Sequence, residues 1–279
     1  MTRAFWIVLA VLLSAGNAFA EQPIFDEMPR WSGGYGVQVL YDFRHNVLED
    51  STRSPSDALV EKRGHRFHLQ GVYTWQKWIR LTAKLPYLIN ESRNLASGGS
   101  NHDHAHRGLG NLTLALPVKR YFNLDGRSGS WTFGPQVQVP TAVGDHHRQT
   151  ALGLSLGYET ESYRWHYGLG TTVWSPALRQ EVDSKDWVEA ERPIARLQMH
   201  LGLNLHAWDS SGHFKIHSYL RWGETDAYRL TVGPVLYWRF SDLLHAQAVW
   251  WHDLLDGSNE ELNPLAYGDL LRIGIGFVF

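Results

Sequence analysis

From residue 33 onward, apolar and polar side chains alternate at every second position in run after run. Trp131, Phe133, Val137 and Val139 alternate with Thr132, Gln136 and Gln138. Leu197, Met199, Leu201, Leu203 and Leu205 alternate with Gln198, His200, Gly202 and Asn204. Tyr228, Leu230, Val232, Leu236 and Trp238 do the same against Arg229, Thr231, Gly233 and Tyr237. A period of two predicts strands with one apolar face. About twelve such runs can be read by this rule: residues 33–44, 63–75, 78–89, 108–121, 130–140, 148–160, 162–174, 192–207, 213–223, 227–239, 243–252 and 268–279.

The connections alternate as well. Residues 45–62, 90–107, 175–191 and 253–267 are long and polar, whereas Gln76-Lys77, Glu161 and Ser241-Asp242 are tight. Short turns at one end and long loops at the other are the pattern of a membrane barrel. An even number of strands brings both termini to the short-turn end, the end expected to face the periplasm.

Two all-β readings remain, and they differ in which face is apolar. A soluble sandwich turns it inward around a packed core. A membrane barrel turns it outward to lipid and lines its lumen with polar groups. Arg66, Arg80, Lys84, Lys119, Arg196, Lys215, Arg221 and Arg229 stand mid-strand on the polar face. The chain holds 13 Trp, 12 Tyr and 11 Phe, and many fall at strand ends. Trp75 and Trp78 bracket one turn, Tyr163 and Trp165 follow another, and Trp238 and Phe240 precede a third. Tyr41, Phe43, Tyr87, Trp174, Trp222 and Trp250 fall near the opposite rim. Such rings favour the membrane–water boundary, where the apolar body meets lipid and the polar tip meets water. The expected fold is therefore a transmembrane antiparallel up-and-down β-barrel over residues 33–279, with outer-membrane lipid as its surroundings.

The ends of the chain agree. Residues 1–20 carry Arg3, an apolar run over residues 4–13 and the closing triplet Ala18-Phe19-Ala20, the pattern of a cleaved export signal. The run is too short for a membrane anchor, which needs roughly 20 apolar residues. Residues 21–32, with Pro23 and Pro29, read as a polar periplasmic segment before the first strand. At the other end, Leu271, Ile273, Ile275, Phe277 and Phe279 alternate with Arg272, Gly274, Gly276 and Val278. This resembles the assembly signal of bacterial outer-membrane barrels and implies recognition by the barrel-assembly machinery.

Charge and composition narrow the chemistry. Of 279 residues, 26 are Lys or Arg and 28 are Asp or Glu, a formal net charge of −2, which gives no basic excess for nucleic acid. The absence of cysteine removes disulfides, thiol catalysis and thiolate metal sites. Position matters more than the total. Arg66, His68, Arg80, Lys84, Lys119, Gln136, Gln138, Arg196, His200, Lys215, Arg221 and Arg229 fall on inward positions and are the candidate lumen lining. The clear inward acids are Asp42 and Glu159, while acids such as Glu49, Asp183, Asp253 and Glu260 collect in the outer loops. A ring of cations in a water-filled wall favours anions. The opposing possibility is an internal network of ion pairs and amides that plugs the barrel.

Two further chemistries are weaker. His102, His104 and His106, with His146 and His147 in another outer loop, suit Zn, Cu or Ni, but a solvated surface loop explains them equally. A barrel enzyme acting on lipid needs a nucleophile, a base and an orienting group. The sequence holds no H-E-x-x-H, and its G-x-S-x-G, Gly153-Leu154-Ser155-Leu156-Gly157, lies inside a run of strand alternation and not at a strand-to-helix turn, so catalysis is not expected and no cofactor is implied.

Gly108-Leu109-Gly110-Asn111-Leu112-Thr113-Leu114, then Gly134-Pro135-Gln136-Val137-Gln138-Val139-Pro140-Thr141, then Gly153, Gly157-Tyr158 and Tyr167-Gly168-Leu169-Gly170 resemble the outer-membrane "transporter" family of the meta pathway of phenol degradation. Asn111 stands where members of that family often carry Asp. The resemblance covers Gly108–Trp174 and implies uptake of small, often aromatic or hydrophobic, compounds. Gly153, Gly157, Gly168 and Gly170 also read directly, as inward positions that leave room in the lumen. Pro86, Pro117, Pro135 and Pro234 each remove a ladder donor and predict kinks in the wall, the places where a lateral opening would form. The expected function is passive uptake of small hydrophobic, aromatic or anionic solutes. The alternatives are a lipid-modifying enzyme and a structural or adhesion barrel acting through its long loops.

Overall fold

The structure is a computed structural model, and it describes residues 32–49, 59–94, 104–124, 127–144, 148–162, 164–175, 177–180, 187–191, 194–208, 212–223, 227–257 and 267–279. Twelve antiparallel wall strands close into a barrel. They are β1 (Gly34–Glu49), β2 (Leu59–Gln76), β3 (Ile79–Asn94), β4 in three segments (His104–Leu109, Leu112–Ala115, Val118–Leu124) and β5 in two (Arg127–Val139, Val143–Gly144). Then follow β6 (Gln149–Glu161), β7 (Trp165–Trp174, Ala177–Gln180), β8 (Trp187–Glu191, Ile194–Trp208), β9 (Gly212–Gly223), β10 (Ala227–Arg239), β11 (Leu244–Gly257) and β12 (Tyr267–Val278). The closing seam joins β1 to β12 from Gly36 opposite Val278 to Val47 opposite Tyr267. Phe279 seals its lower end: its N–H donates to the Tyr35 carbonyl at 2.7 Å and its carbonyl accepts the Tyr35 N–H at 3.2 Å. Closure leaves no open edge, which is what lipid demands of backbone groups that have no water to bond.

Every strand expected from alternation is present. Several run further toward the long-loop end than the apolar pattern does. The first was expected to stop near Arg44 but continues to Glu49, and β11 passes His252 to reach Gly257. A ladder of N–H and C=O bonds needs no apolar face, so pairing persists where the alternation fades. One consequence is a correction: Asp253, assigned from sequence to an outer loop, lies on the inner face of β11 and is buried.

The faces are arranged inside out. Val37, Leu69, Phe133, Leu152, Leu201, Ile273 and Ile275 are exposed on the outer surface. Gln38, Asp42, His68, Gln70, Arg80, Lys84, Thr132, Ser155 and Arg272 are buried within. A continuous apolar exterior is unfavourable in water and favourable in lipid. Trp75, Trp78, Trp165 and Phe240 stand exposed around the short-turn end, and Tyr87 and Trp250 toward the other. Trp174 departs from the expected girdle and is buried on the inner face. Gly153 lies opposite it on β6, and a Cβ there would sit 2.7 Å from both Trp174 Cε3 and Gln136 Cγ, so the glycine lets the indole lie against the wall. Residues 1–31, with the expected export signal and most of the N-terminal segment, and Tyr163 lie outside the described residues.

The wall is interrupted in two neighbouring strands at the level of Gly110. Backbone pairing of β4 lapses at Gly110 and Asn111, and that of β5 between Val139 and Val143. Pro140 has no N–H to give, and the Thr141 N–H turns back onto the Val139 carbonyl at 2.8 Å in a three-residue turn. Gly110 donates instead to the Pro86 carbonyl of β3 at 2.8 Å. β5 resumes through Gly144 at φ 85°, a conformation open to glycine and strained for other residues. Each proline expected to kink the wall sits where a ladder lapses on one side: Pro86 and Pro117 between β3 and β4, Pro135 between β4 and β5, and Pro234 between β10 and β11. Pro135 and Pro234 keep register partners Leu154 and Ile216 on the other side.

Candidate functional site

The lumen has a packed half and an open half. The packed half lies over the seam. Arg272 on β12 faces Asp42 on β1 and donates Nε to Oδ1 and Nη2 to Oδ2, each at 2.7 Å. His68 on β2 adds Nε2 at 3.4 Å from Asp42 Oδ2. A planar guanidinium matches a carboxylate in this two-pronged way, which gives geometry as well as charge. One row along, Lys84, Gln70 and Gln38 are successive register partners on β3, β2 and β1, all buried. Arg80 on β3 is buried as well, and Arg66, the backbone partner of Asp42 on β2, is half-buried.

The open half lies along β4 to β9. The Glu159 and Glu161 side chains on β6 point inside the wall yet are 45% and 46% exposed. Each holds a lysine behind it. Lys119 on β4 reaches Glu159 Oε2 at 3.1 Å and is 10% exposed, while Lys215 on β9 reaches Glu161 Oε1 at 2.7 Å and is 13% exposed. Asn204 Nδ2 donates to the same Glu161 oxygen at 3.0 Å. The wall between the two pairs is thinned by glycine. Gly157 and Gly170 face each other across β6 and β7, and Gly168 faces Glu159. His200 overlies Gly168 and His166 overlies Gly202, in each case where a Cβ would collide with the ring. The two imidazoles lie flat in this way, with centroids 6.2 Å apart. Higher up, Gln136 Nε2 donates to Ser155 Oγ at 3.0 Å, and Ser155 and Thr172 hydroxyls meet at 3.1 Å.

Most sequence-nominated lining residues are thus brought onto one inner surface: Arg66, His68, Arg80, Lys84, Lys119, Gln136, Gln138, His200 and Lys215. Arg196, Arg221 and Arg229 hold inner-face register, Arg196 opposite Thr172 and Arg221 opposite both Gln198 and Arg229, but their side chains lie outside the described residues. The inner acids are more numerous than expected, though the cations still exceed them. Glu161 and Asp253 join Asp42 and Glu159 on the inner face, and Asp253 accepts from Thr231 Oγ1 at 2.8 Å with Arg44 at 3.7 Å. Both were legible in principle. Alternation through Ser155, Gly157 and Glu159 runs on to Glu161, and through Gln247, Val249 and Trp251 to Asp253.

His102, His146 and His147 lie outside the described residues, and the side chain of His104 does too; His106 is exposed on β4. Among the described residues no group of three or more metal-ligating side chains converges.

No family model and no curated protein matches the chain. Solved structures do. The transport unit of the autotransporter AIDA-I from Escherichia coli is 9% identical over 99% of this chain and 97% of that one, with a TM-score of 0.53. The translocator domain of the autotransporter NalP from Neisseria meningitidis is 11% identical over 91% of each chain, with a TM-score of 0.50. At this identity the likeness extends to the fold, that of a bacterial outer-membrane β-barrel.

Proposed function

We propose that the chain is a passive outer-membrane channel for small solutes: hydrophobic or aromatic ones, as the transporter resemblance over Gly108–Trp174 implies, or anionic ones, as the inward cations favour. In this reading the short-turn end faces the periplasm, the assembly machinery inserts the barrel, and no catalytic step takes part. The observation that carries it is the exposure of Glu159 and Glu161 inside a closed wall. Carboxylates 45% and 46% exposed near the short-turn end of the inner face support a water-filled mouth there. A pore of this kind sorts solutes by size and by the charges lining it.

Purified protein in planar bilayers tests the reading. Discrete conductance steps, together with swelling of reconstituted vesicles in solutes of small mass, are expected. Anion preference that disappears on neutralising Arg196 and Arg221 would favour the anionic solutes within the class. A silent bilayer with correctly folded barrel would sink the channel and leave a plugged or structural barrel.

A further inference from the structure

At the break in β4 and β5 the wall is closed by side chains in place of a backbone ladder. Asn111 Oδ1 accepts the N–H of Ala142 and the N–H of Gln149, each at 3.2 Å. Thr141 Oγ1 accepts the Leu112 N–H at 2.8 Å and donates to the Gly110 carbonyl at 3.3 Å. These bonds turn on side-chain torsions, which rotate far more readily than a paired backbone separates. The inner surface beside the break sets the small side chains of Ala115, Ala142 and Ala151 among polar ones, with Thr113 the register partner of both Lys84 and Gln138. The outer surface there is apolar and exposed at Leu109, Val143 and Leu152. Pro86 and Pro140 prevent an uninterrupted ladder from forming across it.

We propose that this break is a lateral port, through which a small uncharged apolar solute leaves the lumen for the surrounding lipid, with Asn111 and Thr141 as its latch. The inference rests on the channel reading and adds a second route to it. A charged solute stays on the axial path, because entering the hydrocarbon strips its hydration.

The cysteine-free chain allows a clean test. Leu112 and Val139 are register partners just below the break, and Leu109 and Val143 just above it. Antiparallel partners lie about 4.5–5.5 Å apart at Cα, within disulfide reach. The probe is naphthalene, with uptake followed in whole cells producing the doubly cross-linked protein (Leu112→Cys with Val139→Cys, and Leu109→Cys with Val143→Cys). The port predicts that oxidation lowers naphthalene uptake to that of cells lacking the protein, that reduction restores it, and that KCl conductance in planar bilayers is the same in both states. Asn111→Ala with Thr141→Ala is expected to speed naphthalene uptake without the cross-links. Naphthalene uptake unchanged by a disulfide confirmed by mass, or absent from the unmodified protein, overturns the port. Missing KCl conductance overturns the axial channel instead, so the two failures are separable.

Discussion

The carboxamide oxygen of Asn111 on β4 holds the backbone N–H of Gln149 on β6 at 3.2 Å, reaching past the strand that stands between them. It does so because β5 turns away at Pro140, and the same oxygen takes the Ala142 N–H exposed by that turn. Removing it leaves two amide donors without their acceptor. Asn111→Ala is expected to destabilise the barrel by about 1–3 kcal/mol. Asn111→Asp keeps the acceptor and is expected to cost less than about 1 kcal/mol. Urea unfolding in lipid vesicles measures both, and equal losses would show that the acceptor is not what matters.

The seam pair Asp42–Arg272 predicts a second asymmetry. Breaking it with Asp42→Asn or Arg272→Met leaves one buried charge uncompensated and is expected to cost about 3–5 kcal/mol. Replacing both at once, Asp42→Leu with Arg272→Met, removes the charge with its partner and is expected to recover most of that loss. The double-mutant cycle is read from unfolding midpoints, and purely additive losses would remove the seam lock.

Ion selectivity follows from the open half of the lumen. Glu159→Gln with Glu161→Gln strips the carboxylates from Lys119 and Lys215 and turns a balanced mouth cationic. Reversal potentials in a KCl gradient are expected to move toward anions. Exposed pairs of up to about 1 kcal/mol correspond to a permeability ratio changed by roughly fivefold. The shift is expected to shrink at high salt, since the screening length falls from about 10 Å at 0.1 M to about 3 Å at 1 M. An unchanged potential would place the ion path elsewhere.

The outer face predicts a depth-dependent penalty. Leu201 and Ile273 are each 51% exposed, and in water an arginine there would cost little. In lipid, Leu201→Arg or Ile273→Arg is expected to cost about 2–4 kcal/mol near the bilayer midplane. Stability unchanged by either substitution, measured by unfolding from vesicles, would contradict a lipid-facing surface.

The sequence by itself determined the strand count, the tight turn at Gln76-Lys77 and the division of each strand into a lipid face and a lumen face, because alternation is a local property of a pleated chain. It also placed Arg66, Lys84, Lys119 and Gln136 on the inner side, and Gly157 and Gly170 with them. Closure decided the rest. That Asp42 meets Arg272 depends on the register between the first and last strands, which no local pattern encodes. Glu161 and Asp253 became lumen groups because ladders outlast the apolar pattern. Trp174 left the expected girdle because a glycine on the neighbouring strand made room for its ring. Gly110, Asn111, Pro140 and Thr141 were visible as a glycine and proline pattern, but only three strands folded side by side bring them to one level and make side chains stand in for backbone.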